Sequence, residues 1–133
     1  MKIKKLSILI PAYNEQSTIH LILNKVKEVE LINNIQKEII IVNDSSTDKT
    51  MEVLQDYISA NKTLDIRLYN QPKNKGKGAA IHKAIETALE VYHNRMQKIS
   101  TSKLNEIMLE AIQKNPPPST AKSSELSVET ILP

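Results

Sequence analysis

The chain has 133 residues, 40% of them hydrophobic and 25% charged, which is ordinary composition for one globular domain with a real core. Four Tyr and no Trp or Phe leave that core to aliphatic side chains and offer few platforms for stacking nucleic-acid bases. Net charge is +3, with no cysteine to form a disulfide framework or a thiolate metal site.

Residues 3–10 predict a first strand, apolar enough to be buried on both faces, ended by Pro11. A helix follows from about Gln16 to Glu30, with Ile19, Ile22, Leu23, Val26 and Val29 as its buried stripe. Residues 38–43 predict a second strand. Asp48 or Ser46 then caps a helix whose apolar face is Met51, Leu54 and Ile58, ended by Asn61-Lys62. Residues 64–69 alternate apolar and polar and predict a half-exposed edge strand. Two buried strands joined by a helix must run parallel, and right-handed crossovers give the order 3-2-1.

Residues 70–78 are a loop that carries the chain's two glycines, Gly76 and Gly78, implying positive φ or close approach there. A helix over about 79–98 follows, with the stripe Ile81, Ala84, Ile85, Ala88, Leu89 and Tyr92. Another helix carries Leu104, Ile107, Met108, Ala111 and Ile112 and stops at Asn115-Pro116-Pro117-Pro118. Residues 119–133, rich in Ser, Thr, Lys and Glu, read as a flexible tail. The expected fold is α/β. It is a three-layer Rossmann-like half domain with a short parallel sheet, extended by a C-terminal helical hairpin.

In open parallel sheets, ligands bind beyond the carboxyl ends of the strands. Two polar clusters lie there: Pro11-Ala12-Tyr13-Asn14-Glu15 and Asn43-Asp44-Ser45-Ser46-Thr47-Asp48. With Asn74-Lys75-Gly76-Lys77-Gly78-Ala79-Ala80 they make three motifs in order. Together these resemble glycosyltransferase family 2, the GT-A nucleotide-sugar transferases, nearest the dolichyl-phosphate-mannose-synthase-like branch. The resemblance covers about residues 5–80.

The resemblance implies a nucleoside-diphosphate sugar as partner. Asp44 would meet the base. Pro11, Ala12, Tyr13 and Glu15 would wall base and ribose, and Lys75, Gly76, Lys77 and Gly78 would approach the pyrophosphate. Each residue also has a plain structural reading: an Asx turn for Asp44, a helix-start charge for Glu15, a basic surface turn for Lys75–Gly78. Asn43 and Ser45 replace the motif's more usual Asp and Gly, and a bulkier Ser45 is expected to tighten its turn. The complete family enzyme would use Mg or Mn. Here no Asp follows Asp65, so no Asp-x-Asp metal motif, no catalytic residue and no cofactor can be assigned.

Residues 84–118 instead resemble part of the KH-like domain of Der, a tandem GTPase of ribosome assembly. The phosphate-binding GxxxxGK[ST] motif of such a GTPase is absent. Residues 1–80 therefore read as the donor-binding half of a GT-A-like domain and 81–118 as a helical extension. The expected function is the donor-binding portion of a glycosyltransferase, inactive alone. The alternatives are an inactive chimeric or truncated domain, or an RNA-associated fragment. The last is disfavoured because residues 81–133 hold six basic and six acidic residues. No run reaches membrane-spanning length, no nucleic acid is expected as partner, and a cytoplasmic location fits.

Overall fold

In the computed structural model, residues 2–116 are described. The chain divides into two compact units, Met1–Glu90 and Val91–Pro133. The first holds the sheet. Its strands β1 (Lys5–Ala12), β2 (Gln36–Asn43) and β3 (Ile66–Asn70) are all parallel, in the order β1-β2-β3. The helices are α1 (Ile19–Glu28), α2 (Thr50–Ala60) and α3 (Lys77–Lys114). The tail expected over 119–133 lies outside the described residues.

The core has two layers of side chains, one on each face of the sheet. Ile10, Ala12, Ile39 and Ile41 meet Ile19 and Leu23 of α1 and Leu54 of α2. On the opposite face Ile40 and Val42 meet Ala80 and Ala84 of α3, with Leu9 and Ala88 beside them. Strand residues alternate faces, so the unbroken apolar run Ile39–Val42 serves both layers at once. This is the three-layer α/β arrangement expected from the sequence.

Pro11 does not end β1; it pairs with Val42 inside the strand. Gln36 N–H donates to the Lys4 carbonyl and Asp44 N–H to the Ala12 carbonyl. Backbone groups of residues of that parity face β2, so Pro11 turns its missing N–H outward, where it costs no bond. The same strand is an edge rather than a doubly buried strand, and Leu6 is 44% exposed.

The helices bury narrower stripes than their apolar residues suggest. In α1 only Ile19 and Leu23 are buried, with Val26 beside them; Ile22 and Val29 are about half exposed. The helix starts at Ile19 because Glu15–Thr18 is a turn, in which the Glu15 carbonyl accepts from Thr18 and Ile19 N–H. At its other end Lys37 Nζ donates to the carbonyls of Val26, Lys27 and Val29, a cation on the negative pole of the helix.

α3 shows the largest departure. The residues expected as a helical hairpin form one helix to Lys114. Ile99-Ser100-Thr101-Ser102 contains no Gly or Pro, and Thr101 Oγ1 donates back to the Gln97 carbonyl, so the hydroxyl run stays helical. Its buried stripe is Ala80, Ala84 and Ala88. Ile81, Ile85, Leu89 and Tyr92 are exposed, although the sequence places them in the buried stripe. Alanines let the helix axis come close to Ile40 and Val42; an isoleucine there would hold it off.

Candidate functional site

The loops after β1 and β2 are stitched together across the carboxyl end of the sheet. Asn14 adopts φ 50°, a left-handed conformation that asparagine tolerates. Its Oδ1 accepts from Thr47 N–H at 2.8 Å and Asp48 N–H at 3.3 Å, and its own N–H donates to Ser46 Oγ at 3.0 Å. Glu15 N–H donates to Thr50 Oγ1 at 2.8 Å, and Lys49 N–H to Gln16 Oε1 at 2.9 Å. The polar character of both motifs is thus used first to fix one loop against the other.

Asp48 sits at the start of α2. Its carboxylate accepts from Thr50 N–H at 2.9 Å, from Thr50 Oγ1, and from Gln16 N–H at 3.4 Å. Partial desolvation acts to raise its pKa, but these bonds outweigh it and hold the carboxyl below the ordinary value of 3.8. Asn43 is buried and donates to Asn70 Oδ1 at 2.8 Å, tying β2 to β3.

Asp44 is 2% exposed at the end of β2. Its Oδ1 accepts from Lys75 N–H and its Oδ2 from Gly76 N–H, both at 2.8 Å, and Gln71 Nε2 stands 3.5 Å from Oδ1. This carboxylate therefore anchors the glycine loop, a role the sequence motif alone did not disclose. Oδ2, with one donor, keeps a second lone pair, so the anchor leaves acceptor capacity on this carboxylate. Gly76 has φ +92°, which only glycine adopts without strain. Gly78 has neither positive φ nor a neighbour within 4 Å, so the expected geometric need for glycine holds at Gly76 alone.

The result is a cleft of about 370 Å³ lined by Pro11, Ala12, Tyr13, Glu15, Asp44, Asn74, Gly76, Lys77 and Ala80. Seven of the nine residues singled out in the sequence line it. Lys75 and Gly78 line a neighbouring groove with Gln71, Ala79, His82, Lys83 and Glu86. Asn74 and Ala80 belong to the cleft. Both stand in the third motif, which was the available signal for them. Tyr13 is 46% exposed on the wall, and Lys77 opens α3, whose first N–H groups have no intrahelical acceptor.

Chemically the cleft offers a flat phenol face, a buried acceptor, a lysine ammonium and a helix amino terminus. That set matches an anion joined to a planar group. It does not fit a resident metal: among the described residues no group of three or more His, Cys, Asp or Glu could hold one. Glu86 is taken by His82 at 3.4 Å and Lys83 at 3.7 Å on the exposed side of α3.

A model of the glycosyl transferase family 2 matches residues 7–92. A dolichyl-phosphate beta-glucosyltransferase of Trichomonas vaginalis is 36% identical over 121 residues, covering 82% of this chain and 36% of that protein. The Dictyostelium discoideum dolichyl-phosphate beta-glucosyltransferase is 34% identical over 87 residues, covering 60% and 26%. The chain thus spans about a quarter to a third of the length of these relatives. A stretch of 36 residues is 58% identical to GTPase Der of Flavobacterium psychrophilum, covering 27% of this chain and 8% of that protein.

Among solved structures, a mannosyltransferase from Pyrobaculum calidifontis in complex with GDP-Man and Mn²⁺ superposes with TM-score 0.59 at 22% identity. That match covers 65% of this chain and 25% of the other. S. aureus TarS in complex with UDP-GlcNAc gives 0.54 at 24% identity, covering 64% and 23%. These likenesses establish a shared α/β fold over the sheet-bearing part.

Proposed function

The chain belongs to glycosyl transferase family 2, and from that membership we propose that its cleft binds the nucleoside diphosphate of a sugar-nucleotide donor. The observation that carries this reading is Asp44, which holds the glycine loop by two backbone bonds while Gly76 and Lys77 line the same cleft as Tyr13. The base stacks on Tyr13 and shares a hydrogen bond with Asp44, and the diphosphate lies against Lys77 and the amino terminus of α3.

Sugar transfer by this chain alone is not part of the proposal. The solved mannosyltransferase complex contains Mn²⁺ together with GDP-Man. A divalent ion supplies charge neutralisation for a leaving diphosphate. The described residues here offer no ligand set for one. The function proposed is donor binding, with dolichyl-phosphate-type acceptors belonging to the full-length relatives. No helix among the described residues is long and apolar enough to cross a membrane, and we place the chain in the cytoplasm.

Calorimetry with UDP and GDP tests the reading. Lys77→Ala should weaken diphosphate binding about tenfold, since a hydrogen bond to a charged group contributes roughly 1.5–3 kcal/mol. It should leave binding of the bare nucleoside unchanged. Equal affinity of wild type and Lys77→Ala for the diphosphate would remove this wall from the site.

A further inference from the structure

Gln71 lies just before the third motif, and its polar side chain is only 4% exposed. Its backbone is held on both sides. The N–H donates to the Asn43 carbonyl at 2.8 Å, one step beyond the last β2–β3 pair, Asn43 and Asn70. Pro72 follows and confines Gln71 to extended backbone. The side chain reaches Asp44, with Nε2 3.5 Å from Oδ1.

The donors on the Asp44 carboxylate are thus of two kinds. Lys75 N–H and Gly76 N–H, both at 2.8 Å, belong to the loop that the carboxylate holds. Gln71 Nε2 belongs to the end of the sheet. Asp44 is also tied to the strand on its other side, where its N–H donates to the Ala12 carbonyl at 2.8 Å. A carboxylate bonded to the loop alone would turn with it each time the loop opened. A donor from the sheet makes its orientation independent of the loop. The donors are also shared unevenly: Oδ1 takes Lys75 and Gln71, and Oδ2 takes Gly76.

We propose that Gln71 is a positioning residue of the cleft: its amide fills Oδ1 of Asp44 and so sets the carboxylate with Oδ2 as the acceptor open to a ligand. The ligand's part in this rests on the nucleotide reading of the cleft; the hold on Asp44 does not. An ionised carboxylate only accepts, so the amide turns its nitrogen toward it. At 3.5 Å the contact is long for an N–H···O bond. Asp44 is 2% exposed, however, and a carboxylate taken from water gains from every donor that replaces it. Gln71 also lines the neighbouring groove, so the titratable groups around it are Asp44 and the groove's Lys75, His82, Lys83 and Glu86.

Amide hydrogen exchange on the ligand-free full chain reads the hold directly, as protection at Lys75 and Gly76 relative to intrinsic rates. Gln71→Leu removes the donor and keeps the bulk. Protection at both amides should fall about tenfold, with that of Leu23 and Leu54 in the core unchanged. In Gln71→Glu a protonated carboxyl still donates to Asp44, whereas an ionised one sets two carboxylates against each other. Compared with wild type at the same pH, which carries any effect of His82, protection should be near normal at about pH 5 and about tenfold lower at about pH 8. A side chain that only fills space gives no such pH dependence.

Calorimetry with UDP and GDP completes the test. Affinity should fall about tenfold in Gln71→Leu and stay at the wild-type value in Gln71→Glu at about pH 5. Equal protection in wild type and Gln71→Leu overturns the proposal. So does a Gln71→Glu ratio that is the same at both pH values, or a loss of protection that leaves nucleotide affinity unchanged. If Gln71→Leu fails to fold, Gln71→Glu at the two pH values decides. A wild type that binds neither nucleotide overturns the function proposed for the cleft and the ligand's part with it; exchange still decides whether Gln71 holds Asp44.

Discussion

Ser45 and Gly76 show how the site is set one residue at a time. Ser45 holds φ 55°, a conformation that costs an L residue about 1–2 kcal/mol relative to glycine. The family motif more often has glycine there, and the sequence reading expected a tightened turn. The strain is in the backbone. Ser45→Gly should raise thermal stability, by about 0.5–1 kcal/mol once glycine's greater unfolded-state entropy is subtracted. Gly76→Ala should do the reverse, since its φ of +92° is closed to alanine; chemical denaturation of the two variants checks both signs.

Asp48 gives a pH prediction. Its folded pKa is depressed, so its contribution is fully present above the unfolded value near 3.8 and is lost as pH falls through the lower folded value. The stability gap between wild type and Asp48→Asn should therefore be constant at neutral pH and close below about pH 4. A gap that persists at pH 2 would mean that Asp48 acts through shape rather than charge.

Among elements, the glycine loop and α3 decide most. Asp44→Ala removes two bonds to a charged acceptor and should cost about 1–3 kcal/mol. The loss should be local: hydrogen exchange at Lys75 and Gly76 should accelerate even without ligand, and unchanged exchange there would deny the anchoring role. On α3, Ala84 is fully buried against Ile40 and Val42. Ala84→Leu should destabilise by about 1–3 kcal/mol through overpacking. Ile22→Asp on α1, at a half-exposed position, should cost under about 0.5 kcal/mol. Urea titrations of the two variants rank them.

That ranking inverts what helix patterning implies, and the inversion marks the limit of the sequence. Periodicity finds apolar residues, but not which of them a neighbour covers. Ile81, Ile85 and Leu89 have the right spacing for a core stripe, yet among the described residues the sheet under α3 ends at β1, and they stay exposed. Strand identity, parallel direction and sheet order were legible because Ile39–Val42 is buried on both faces, and the hydrophobic run says so. The outward-facing proline and the unbroken helix through Ser100–Ser102 were not legible, since both depend on which backbone groups already have partners.

At the scale of the molecule, the cleft was legible through its motifs. Seven residues named from sequence converge on it because two of the motifs end adjacent parallel strands and the third begins the helix crossing them. Asp44's second task was hidden, because a loop thirty residues away supplies the donors. On the function proposed above, the polar loops that hold the fold together are also the ones that would meet the ligand.

The most direct measurement is an amide NMR titration of the isotope-labelled chain with UDP or GDP. The account predicts saturable shifts at Tyr13, Asp44, Gly76 and Lys77, with the amides of Lys103–Lys114 unmoved. Absence of shifts at millimolar nucleotide, or shifts centred on the groove of Gln71, His82 and Glu86, would contradict it.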